Sequence, residues 1–538
     1  MAKQRWIYGP PSVEKTLGSL PVVAEFCRRL DVAGTIDRLC PIRSVAKLTH
    51  GQVIETMIAN RLTSPTPLLR VEDWAREWAV EEVFGAEPGA LNDDRVGRAL
   101  DAVAPQLDAI VGSIGATAIS VFGIDVSRLH WDMTSISLRG AYDDPEVGFV
   151  EPGYGKPKDG RKDLKQVQTG LAVAGDGGIP VFHRAYDGRA AEVAQVVDAM
   201  ESLRRMAEPR QFLLVGDSKL VSYKNLSAMD QAGVTFVAPA PKSIVPATVL
   251  AGCDKTTAVD VDYVPERRQG RTPVRDGPDY LVAEDTMVIT GPRKRDPEVV
   301  CRRVFVWSAG NAEAAETNRS RKLTRATEDL ERVGRGLGSR YYDTVDKVRA
   351  KVEAIARDRR VKAYLVFTVD TDDHDKPTLN WHFDEQALAA EAAHDGWYAL
   401  LTNLDPTDAD AGEVLRRYKG QEVVERRYSD FKGPLAVAPM FLKNNRRIEA
   451  LVAVICLALL IFCLVEREVR SGIAPEKKMT GIYPENRPMK PTGRLIFAAL
   501  AGIRLIPATA TGPPVIPRPT ETELRLLQLL GTDPRAHR

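Results

Sequence analysis

The sequence predicts an α/β protein with a helical amino-terminal region, and three observations support this fold class. Apolar residues recur at helical spacing in residues 17–40 and 51–62. From residue 126 onwards, short runs rich in β-branched and aromatic residues alternate with helical segments. The chain has 538 residues, of which 44% are hydrophobic, so a large buried core is feasible.

The order of the predicted elements narrows the fold class further. Three strands are predicted first, and Gly175-Asp176-Gly177-Gly178 joins the second to the third as a hairpin. A helix, a strand, a second helix and a short strand follow. The seven elements occupy residues 126–138, 166–174, 180–186, 190–206, 211–215, 220–233 and 235–238. This is the element order of the ribonuclease H-like fold, in which the first and fourth strands lie side by side.

We predict five regions along the chain. Residues 1–118 form a helical domain, whose short basic helices suit DNA binding and suit a packing module equally well. Residues 119–239 form the first part of the ribonuclease H-like core, and residues 240–394 a mostly β insertion, which is too long for a loop. Residues 395–470 complete the core, and residues 471–538, rich in proline and glycine, form a loosely packed arm with a short helix at 520–530.

Charge and cysteine content exclude some classes of protein. The net charge is +1, so any nucleic-acid footprint must be local, as in the basic clusters at 267–271, 293–295 and 319–325. The six cysteines are scattered without a Cys-x-x-Cys pair, which indicates reduced thiols in a cytosolic protein and no zinc site. The sixteen apolar residues at 450–465 fall short of the ~20 that cross a membrane, so they predict a buried helix.

Two aspartates occupy positions in or next to predicted buried strands, where a charged side chain is energetically unfavourable. Asp132 interrupts the first predicted strand, and Asp217 follows the buried run Gln-Phe-Leu-Leu-Val-Gly. A carboxylate at the end of a buried strand is unfavourable unless it is paired or coordinates a metal ion. A third candidate, Glu425, lies in a helix predicted from about residue 408, and Tyr418, Gln421, Glu425 and Lys432 share one face of that helix.

These residues resemble a known family. Asp132, Asp217 and the spacing Tyr418-x2-Gln421-x3-Glu425-x6-Lys432 are similar to the DDE transposases of bacterial insertion sequences. The group is the insertion-sequence-four-like superfamily, with its Tyr-Arg-Glu-Lys signature, in the branch with a long helical amino-terminal region. The loop at residues 154–166 also resembles that branch. This sequence departs from the signature at Gln421, where the family usually has arginine, which holds phosphate with a charged fork.

The resemblance implies DNA transposition by a two-metal mechanism. Asp132, Asp217 and Glu425 would be the catalytic residues and would hold two Mg²⁺ ions, with Mn²⁺ as a substitute. Tyr418, Gln421, Lys432 and Arg426 would contact DNA. The implied partners are double-stranded DNA, as terminal inverted repeats and as target, and a second copy of the chain in a synaptic homodimer. The implied location is the bacterial cytoplasm, at the nucleoid and not in a membrane.

Two other classes of function remain open from the sequence. One is a transposase-derived DNA-binding protein that is catalytically inactive or recruited to another task, which Gln421 favours. The other is a metal-dependent nuclease on the same fold that does not join strands. The three acidic residues argue against the first class, and the long basic insertion together with the helical amino-terminal region argues against the second.

Overall fold

The computed structural model describes residues 13–207, 211–264, 277–438, 440–508 and 512–535. Contacts divide the chain into two compact units. The first unit comprises Met1–Val215 and Gly420–Arg538, and the second comprises Gly216–Lys419. The chain therefore leaves the first unit after Val215 and returns to it at Gly420. The boundaries of the five predicted regions stay predictions.

Helices form the amino-terminal part of the first unit, as their apolar spacing predicts. They follow β1 (Lys15–Thr16) and are α1 (Leu20–Arg29), α2 (Val32–Leu39), α3 (His50–Thr63), α4 (Val71–Glu77), α5 (Val80–Phe84), α6 (Asp93–Val103) and α7 (Leu107–Phe122). The Asn92 side chain caps α6 by accepting from the Arg95 backbone N at 2.9 Å. The Arg95 guanidinium donates to the Leu48 carbonyl at 2.9 Å, so this cation is used inside the helical region.

The core strands of the first unit confirm the predicted α/β class and its ribonuclease H-like order. They are β2 (Arg128–Ser137), β3 (Gln166–Ala174), β4 (Pro180–Tyr186) and, after α8 (Glu192–Ala207), β5 (Leu213–Val215). The spatial order is β4-β3-β2-β5. β2 and β3 pair antiparallel, as do β3 and β4, whereas β2 and β5 pair parallel. The first and fourth strands of the core are therefore neighbours.

The hairpin between β3 and β4 depends on its glycines. Gly177 and Gly178 have φ angles of 69° and 68°, in the left-handed region where glycine has no Cβ to clash. Gly178 has a second constraint, because an added Cβ would lie 2.7 Å from the side chain of Val423. The predicted turn is therefore confirmed, and it also sits closely against the chain that returns from the second unit.

The second unit is a mixed α/β body. Its elements are α9 (Tyr223–Gln231), β6 (Thr235–Pro239), α10 (Ala247–Ala251), β7 (Val259–Asp260), β8 (Tyr280–Ile289), β9 (Val299–Ser308), α11 (Ala309–Arg335), α12 (Val345–Asp358), β10 (Leu365–Thr371), β11 (Pro377–Phe383), α13 (Glu385–Ala392), β12 (Trp397–Thr402) and α14 (Ala411–Lys419). Its strands follow the order β6-β12-β9-β8-β7, and β10 and β11 form a separate hairpin.

The insertion is mixed rather than mostly β, which corrects that part of the prediction. Its longest element is the 27-residue helix α11. The buried residues of α11 are Ala326, Leu330 and Val333, and the other faces are charged. With so few apolar residues, α11 shows only a weak helical periodicity in the sequence, and its many charged residues do not indicate which face is buried. Of the predicted basic clusters, that at 267–271 lies outside the described residues, and Arg319 forms an ion pair with Asp395.

The chain re-enters the first unit as α15 (Glu422–Lys432), followed by the long helix α16 (Asn445–Gly472). By length and composition alone, two helical stretches among the described residues, Asp93–Phe122 and Asn445–Gly472, could cross a membrane. The most apolar window of Asn445–Gly472 is 94% buried within the protein, which is typical of a core helix. This confirms the predicted buried helix at 450–465.

The predicted carboxyl-terminal arm carries short elements that contact other parts of the first unit. It contains α17 (Gly493–Leu500), β13 (Arg504–Leu505) and α18 (Glu521–Leu529). β13 pairs with β1, and the ring of Phe497 stacks on Phe462 with centroids 5.6 Å apart. Proline and glycine limit regular structure here, but buried leucines and aromatic residues still anchor the segment. The short helix predicted at 520–530 is confirmed and begins with a Thr520 capping box.

Candidate active site

Asp132 lies in the middle of β2, where it faces a partly open part of the first unit. Its side chain is 15% exposed, although most of β2 is buried. The carboxylate Oδ1 accepts a hydrogen bond from the Met133 backbone N at 2.7 Å. A charged group in this setting needs partners, and cationic side chains supply them here.

Asp217 follows β5 by two residues and belongs to the second unit. Val215, the last residue of β5, pairs with His130 of β2. The Asp217 Oδ1 accepts from the Lys219 backbone N at 2.9 Å, which starts a short turn after the strand. The carboxylate is 44% exposed, so a ligand can reach it.

The predicted continuous helix carrying Tyr418, Gln421, Glu425 and Lys432 is wrong, because two helices share these residues. α14 ends at Lys419, and α15 begins at Glu422 after a break at Gly420. Glycine has a low helix propensity because it loses the most backbone freedom. The structure therefore keeps Glu425 and Lys432 on α15, with Gln421 at its N-cap. Tyr418 belongs to the second unit, where its ring lies 6.5 Å from that of Tyr398.

Two hydrogen bonds hold α15 against β2 on either side of Glu425. The Gln421 Nε2 donates to the Trp131 carbonyl at 3.2 Å, and the Tyr428 hydroxyl donates to the Asp132 carbonyl at 2.5 Å. Glu425 is four residues after Gln421 and three before Tyr428, and residues at these spacings share one helical face. Glu425 is exposed and lies on α15 between these two anchors.

His130 lies behind this contact and is completely buried. Its Nδ1 lies 3.2 Å from the Gln421 Oε1. Burial lowers the pKa of His130 to about 4, although the hydrogen bond to Gln421 acts in the opposite direction. In the described part of the chain its other ring nitrogen, Nε2, has no hydrogen-bond partner. His130 is thus a buried, neutral residue.

Two lysines surround the Asp132 carboxylate. Lys158, in the loop before β3, places its Nζ 3.4 Å from Asp132 Oδ1 and also donates to the Met133 carbonyl. The Ser135 hydroxyl accepts from the Lys158 backbone N at 2.9 Å and fixes this part of the loop to β2. Burial lowers the pKa of Lys432, and the Lys158 ammonium lowers it further, against opposing effects of Asp159 and Asp132.

Lys158 is not among the predicted site residues, although it lies in the loop at residues 154–166 that resembles the family. The signal available was the run Tyr154-Gly-Lys-Pro-Lys158, in which two lysines precede the buried strand β3. Such a pattern does not indicate which lysine turns towards Asp132. The position of Lys158 depends on its backbone hydrogen bond to Ser135, which lies on β2 and is 23 residues away in the chain.

Arg426 and Arg427 are neighbours with opposite environments. Arg426 is exposed on α15. The side chain of Arg427 is 0% exposed and donates to the carbonyls of Gly177 and Gly178 and to the carboxylate of Glu466. The sequence predicts Arg426 as a DNA contact and gives no sign that Arg427 is buried. Arg427 occupies the buried stripe of α15 together with Val424, Tyr428 and Phe431.

A hard divalent cation suits the chemistry of the three predicted acids. Asp132, Asp217 and Glu425 supply carboxylate oxygens, which are the ligands that Mg²⁺ and Mn²⁺ prefer. Among the described residues, no three His, Cys, Asp or Glu side chains are gathered closely enough to hold a metal ion as they stand. The donor set therefore fits such an ion by its chemistry, and Lys158 is the cation that contacts Asp132 in this structure.

Comparison with known proteins identifies the family. The model of the family described as "Transposase DDE domain" matches residues 131–461, which is more than half of the chain. The model of "Domain of unknown function (DUF4277)" matches residues 12–109, which cover the amino-terminal helices. A search of curated proteins found no significant match.

A solved structure was also matched. It is described as a cryo-EM structure of the piggyBac transposase synaptic complex with hairpin DNA, with 8% sequence identity, a TM-score of 0.37, and coverage of 89% of this chain and 79% of that chain. A likeness this low carries no argument about fold or function. The family match rests instead on a span that begins at Trp131 and contains all three predicted acids, and it shows that the chain belongs to the family of transposases with a DDE domain.

Proposed function

We propose that this protein is a DNA transposase that cleaves DNA at the ends of an insertion sequence and joins those ends to target DNA. The observation that carries the proposal is the anchoring of α15 across β2. Gln421 and Tyr428 tie the helix to the backbone of residues 131 and 132, on either side of Glu425. A family of DDE transposases that matches this same span makes DNA the natural substrate.

We propose Asp132, Asp217 and Glu425 as the catalytic carboxylates and the ligands of two Mg²⁺ ions, with Mn²⁺ as a substitute. Two such ions, when bound, activate the attacking oxygen and stabilise the leaving oxygen of an in-line displacement at phosphorus. The protein residues supply the oxygen ligands and hold them on rigid elements. Asp132 is fixed within a buried strand, and Glu425 is fixed by the two hydrogen bonds of α15.

The DNA backbone would be held by cations near these acids. Lys432 and Arg426 lie on α15 with Glu425, and we propose that they contact phosphates next to the cleaved bond. Tyr418, at the end of α14, is proposed to contact the same DNA. Gln421 is not part of this set, because both ends of its amide are hydrogen-bonded within the protein.

The remaining expectations follow from the reaction. Two element ends must be brought together, which favours a synaptic homodimer bound to terminal inverted repeats and target DNA. The signature spacing supports the insertion-sequence-four-like branch, and with it a bacterial cytoplasmic location at the nucleoid. The alternative is an inactive transposase-derived DNA-binding protein, and it rests on Gln421, whose amide is hydrogen-bonded to His130 and Trp131.

Strand joining separates a transposase from a nuclease on the same fold. The assay would mix purified protein, Mg²⁺, a supercoiled plasmid and a labelled duplex that ends in a pre-cleaved terminal repeat from the DNA flanking the gene. We expect label to be transferred to the plasmid by the natural protein and not by Asp132→Asn. Hydrolysis of DNA without transfer of label would favour the nuclease.

Removing the Lys158 ammonium is expected to tighten metal binding. Lys158 competes for an oxygen of Asp132, and its positive charge repels a nearby cation. Lys158→Met should therefore increase the affinity of the protein for Mn²⁺ by about tenfold, or about 1.4 kcal/mol. Isothermal titration with Mn²⁺ in the absence of DNA measures this directly.

The matched control is Lys162→Met, which removes an exposed lysine from the same loop. It should change Mn²⁺ affinity by less than about twofold, because exposed charges are well screened by solvent. Equal affinities for the natural protein and for Lys158→Met would contradict a role for Lys158 at the carboxylate.

A further inference from the structure

We infer that Gln421 is a positioning residue, matched to the buried His130, which fixes the Glu425 helix against the strand of Asp132. The inference rests on the proposed function, because it concerns the same carboxylates. The family resemblance puts Gln421 where an arginine would hold a DNA phosphate. The contacts of Gln421 direct its amide into the protein instead, towards β2.

The orientation of the Gln421 amide is fixed by a group that can only accept. The Trp131 carbonyl lies 3.2 Å from one end of the amide, so that end must be the donor Nε2. The acceptor Oε1 then faces the Nδ1 of His130 at 3.2 Å. His130 must therefore carry its proton on Nδ1 and donate it to Gln421 Oε1. Gln421 accepts this hydrogen bond with Oε1 and donates another with Nε2 to the Trp131 carbonyl.

An arginine at position 421 could not make this arrangement. A guanidinium has five donors and no acceptor, so it could not receive the hydrogen of His130 Nδ1. It would also place a positive charge against an imidazole that is completely buried. An arginine would hold His130 in its other tautomer, with Nδ1 as the acceptor and the proton on Nε2, a buried atom that has no hydrogen-bond partner among the described residues. Glutamine matches the tautomer that keeps the proton on Nδ1, where Gln421 Oε1 accepts it.

The contact lies where it controls the catalytic geometry. Trp131 is the residue before Asp132, and Gln421 stands one helical turn before Glu425 at the start of α15. Tyr428 holds the next turn through the Asp132 carbonyl. If Gln421 were lost, the first turn of α15 would be held less firmly, while the rest of the helix would stay in place. The separation between the two carboxylates would then be poorly defined, which weakens a shared metal site.

The test uses the full-length protein with Gln421→Met and His130→Leu, singly and combined. Ser429→Ala, on the exposed side of α15, is the control. We expect Gln421→Met to bind terminal-repeat DNA within about twofold of the natural protein when no divalent metal is present. We expect its Mn²⁺ affinity, measured without DNA, to fall by about 10–100-fold. The combined variant should lose no more Mn²⁺ affinity than either single variant.

A conservative variant separates positioning from simple packing. An asparagine at position 130 can place its side-chain amide donor near the position of the imidazole Nδ1. His130→Asn should therefore keep Mn²⁺ affinity within about threefold of the natural protein, whereas His130→Leu should not. In cleavage assays, Gln421→Met should lower kcat and leave KM for DNA unchanged, because the DNA contacts are intact.

Three results would overturn the inference. One is a loss of DNA affinity in Gln421→Met without metal, accompanied by unchanged Mn²⁺ affinity, which would make Gln421 a DNA contact. The second is additive loss of Mn²⁺ affinity in the combined variant. The third is equal Mn²⁺ affinity in His130→Asn and His130→Leu. If the natural protein binds Mn²⁺ but cleaves no DNA, the proposed transposase fails, and the Mn²⁺ comparisons still decide the role of Gln421.

Discussion

Replacing Arg427 by methionine is expected to lower the free energy of unfolding of the first unit by about 3–5 kcal/mol. The guanidinium is completely buried and donates to the Gly178 and Gly177 carbonyls, each at 2.8 Å, and to Glu466 at 2.9 Å. Methionine fills similar space but leaves the buried Glu466 without its main counter-charge. Chemical denaturation followed by circular dichroism measures the change.

The effect should exceed that of losing one surface ion pair, because Glu466 joins three elements. It accepts from Arg427 of α15, from Arg470 of α16 at 2.7 Å and from the backbone N of Gly493 at the start of α17 at 2.9 Å. Burial alone would raise the pKa of Glu466, but Arg427, Arg470 and the hydrogen bonds outweigh it and lower the pKa below the ordinary 4.5.

The lowered pKa gives the network a defined pH dependence. A carboxyl with a depressed pKa stabilises the folded state above its ordinary pKa and loses that contribution as the pH falls through the depressed value. The destabilisation by Arg427→Met should therefore be largest near pH 7 and should shrink below about pH 4.5.

The neighbouring residue offers the matched control for Arg427. Arg426→Met removes the same charge from an exposed position and should change stability by less than about 0.5 kcal/mol. Adding Glu466→Gln to Arg427→Met should recover roughly 1–2 kcal/mol, because the buried carboxylate that has lost Arg427 is then no longer charged. Equal destabilisation by Arg426→Met and Arg427→Met would contradict the assigned network.

Asp217→Ala is expected to abolish DNA cleavage while leaving DNA binding in place. If Asp217 is a ligand shared by the catalytic metals, its loss should slow cleavage by at least about a thousandfold, or about 4 kcal/mol of transition-state stabilisation. Its carboxylate is 44% exposed and accepts a backbone hydrogen bond from Lys219 in a surface turn, so we expect the fold to tolerate alanine. Parallel cleavage and gel-shift assays on the same terminal-repeat duplex measure both properties.

A second acidic residue of the second unit tests whether the loss of any negative charge in this region would slow cleavage. Asp230 is exposed near the end of α9, and Asp230→Ala removes the same charge from the same region. It should cleave DNA at a rate within about twofold of the natural protein. If Asp217→Ala cuts as fast as Asp230→Ala, Asp217 does not belong to the catalytic set.

The sequence predicted those elements of the fold whose burial can be inferred from their own residues. β3 and β4 occupy the predicted residues, and α16 contains the predicted buried segment. Each is apolar enough to reveal its environment from its own residues. The positions of Asp132 within a strand and of Asp217 after one were visible for the same reason, because a charge stands out in an apolar run.

Features that depend on distant partners were not predictable. The burial of Arg427 depends on Glu466, 39 residues further along the chain, and on a glycine turn about 250 residues earlier. The position of Lys158 depends on Ser135, and the role of Gln421 depends on His130. Local spacing placed Gln421 and Glu425 on one helical face correctly, but it extended that face through Gly420 to Tyr418, where the structure has two helices.

The most direct test of the account is Mg²⁺-dependent cleavage of a labelled duplex that carries the terminal repeat and its flanking DNA, comparing the natural protein with Glu425→Gln. Glutamine keeps the size of the side chain and removes its charge, so folding and DNA binding should be unchanged. We predict a cut at the end of the repeat by the natural protein in Mg²⁺, no cut in EDTA, and no cut by Glu425→Gln. Cleavage by Glu425→Gln at the natural rate would contradict the assignment of the third carboxylate, and tight DNA binding without cleavage by either protein would contradict the transposase itself.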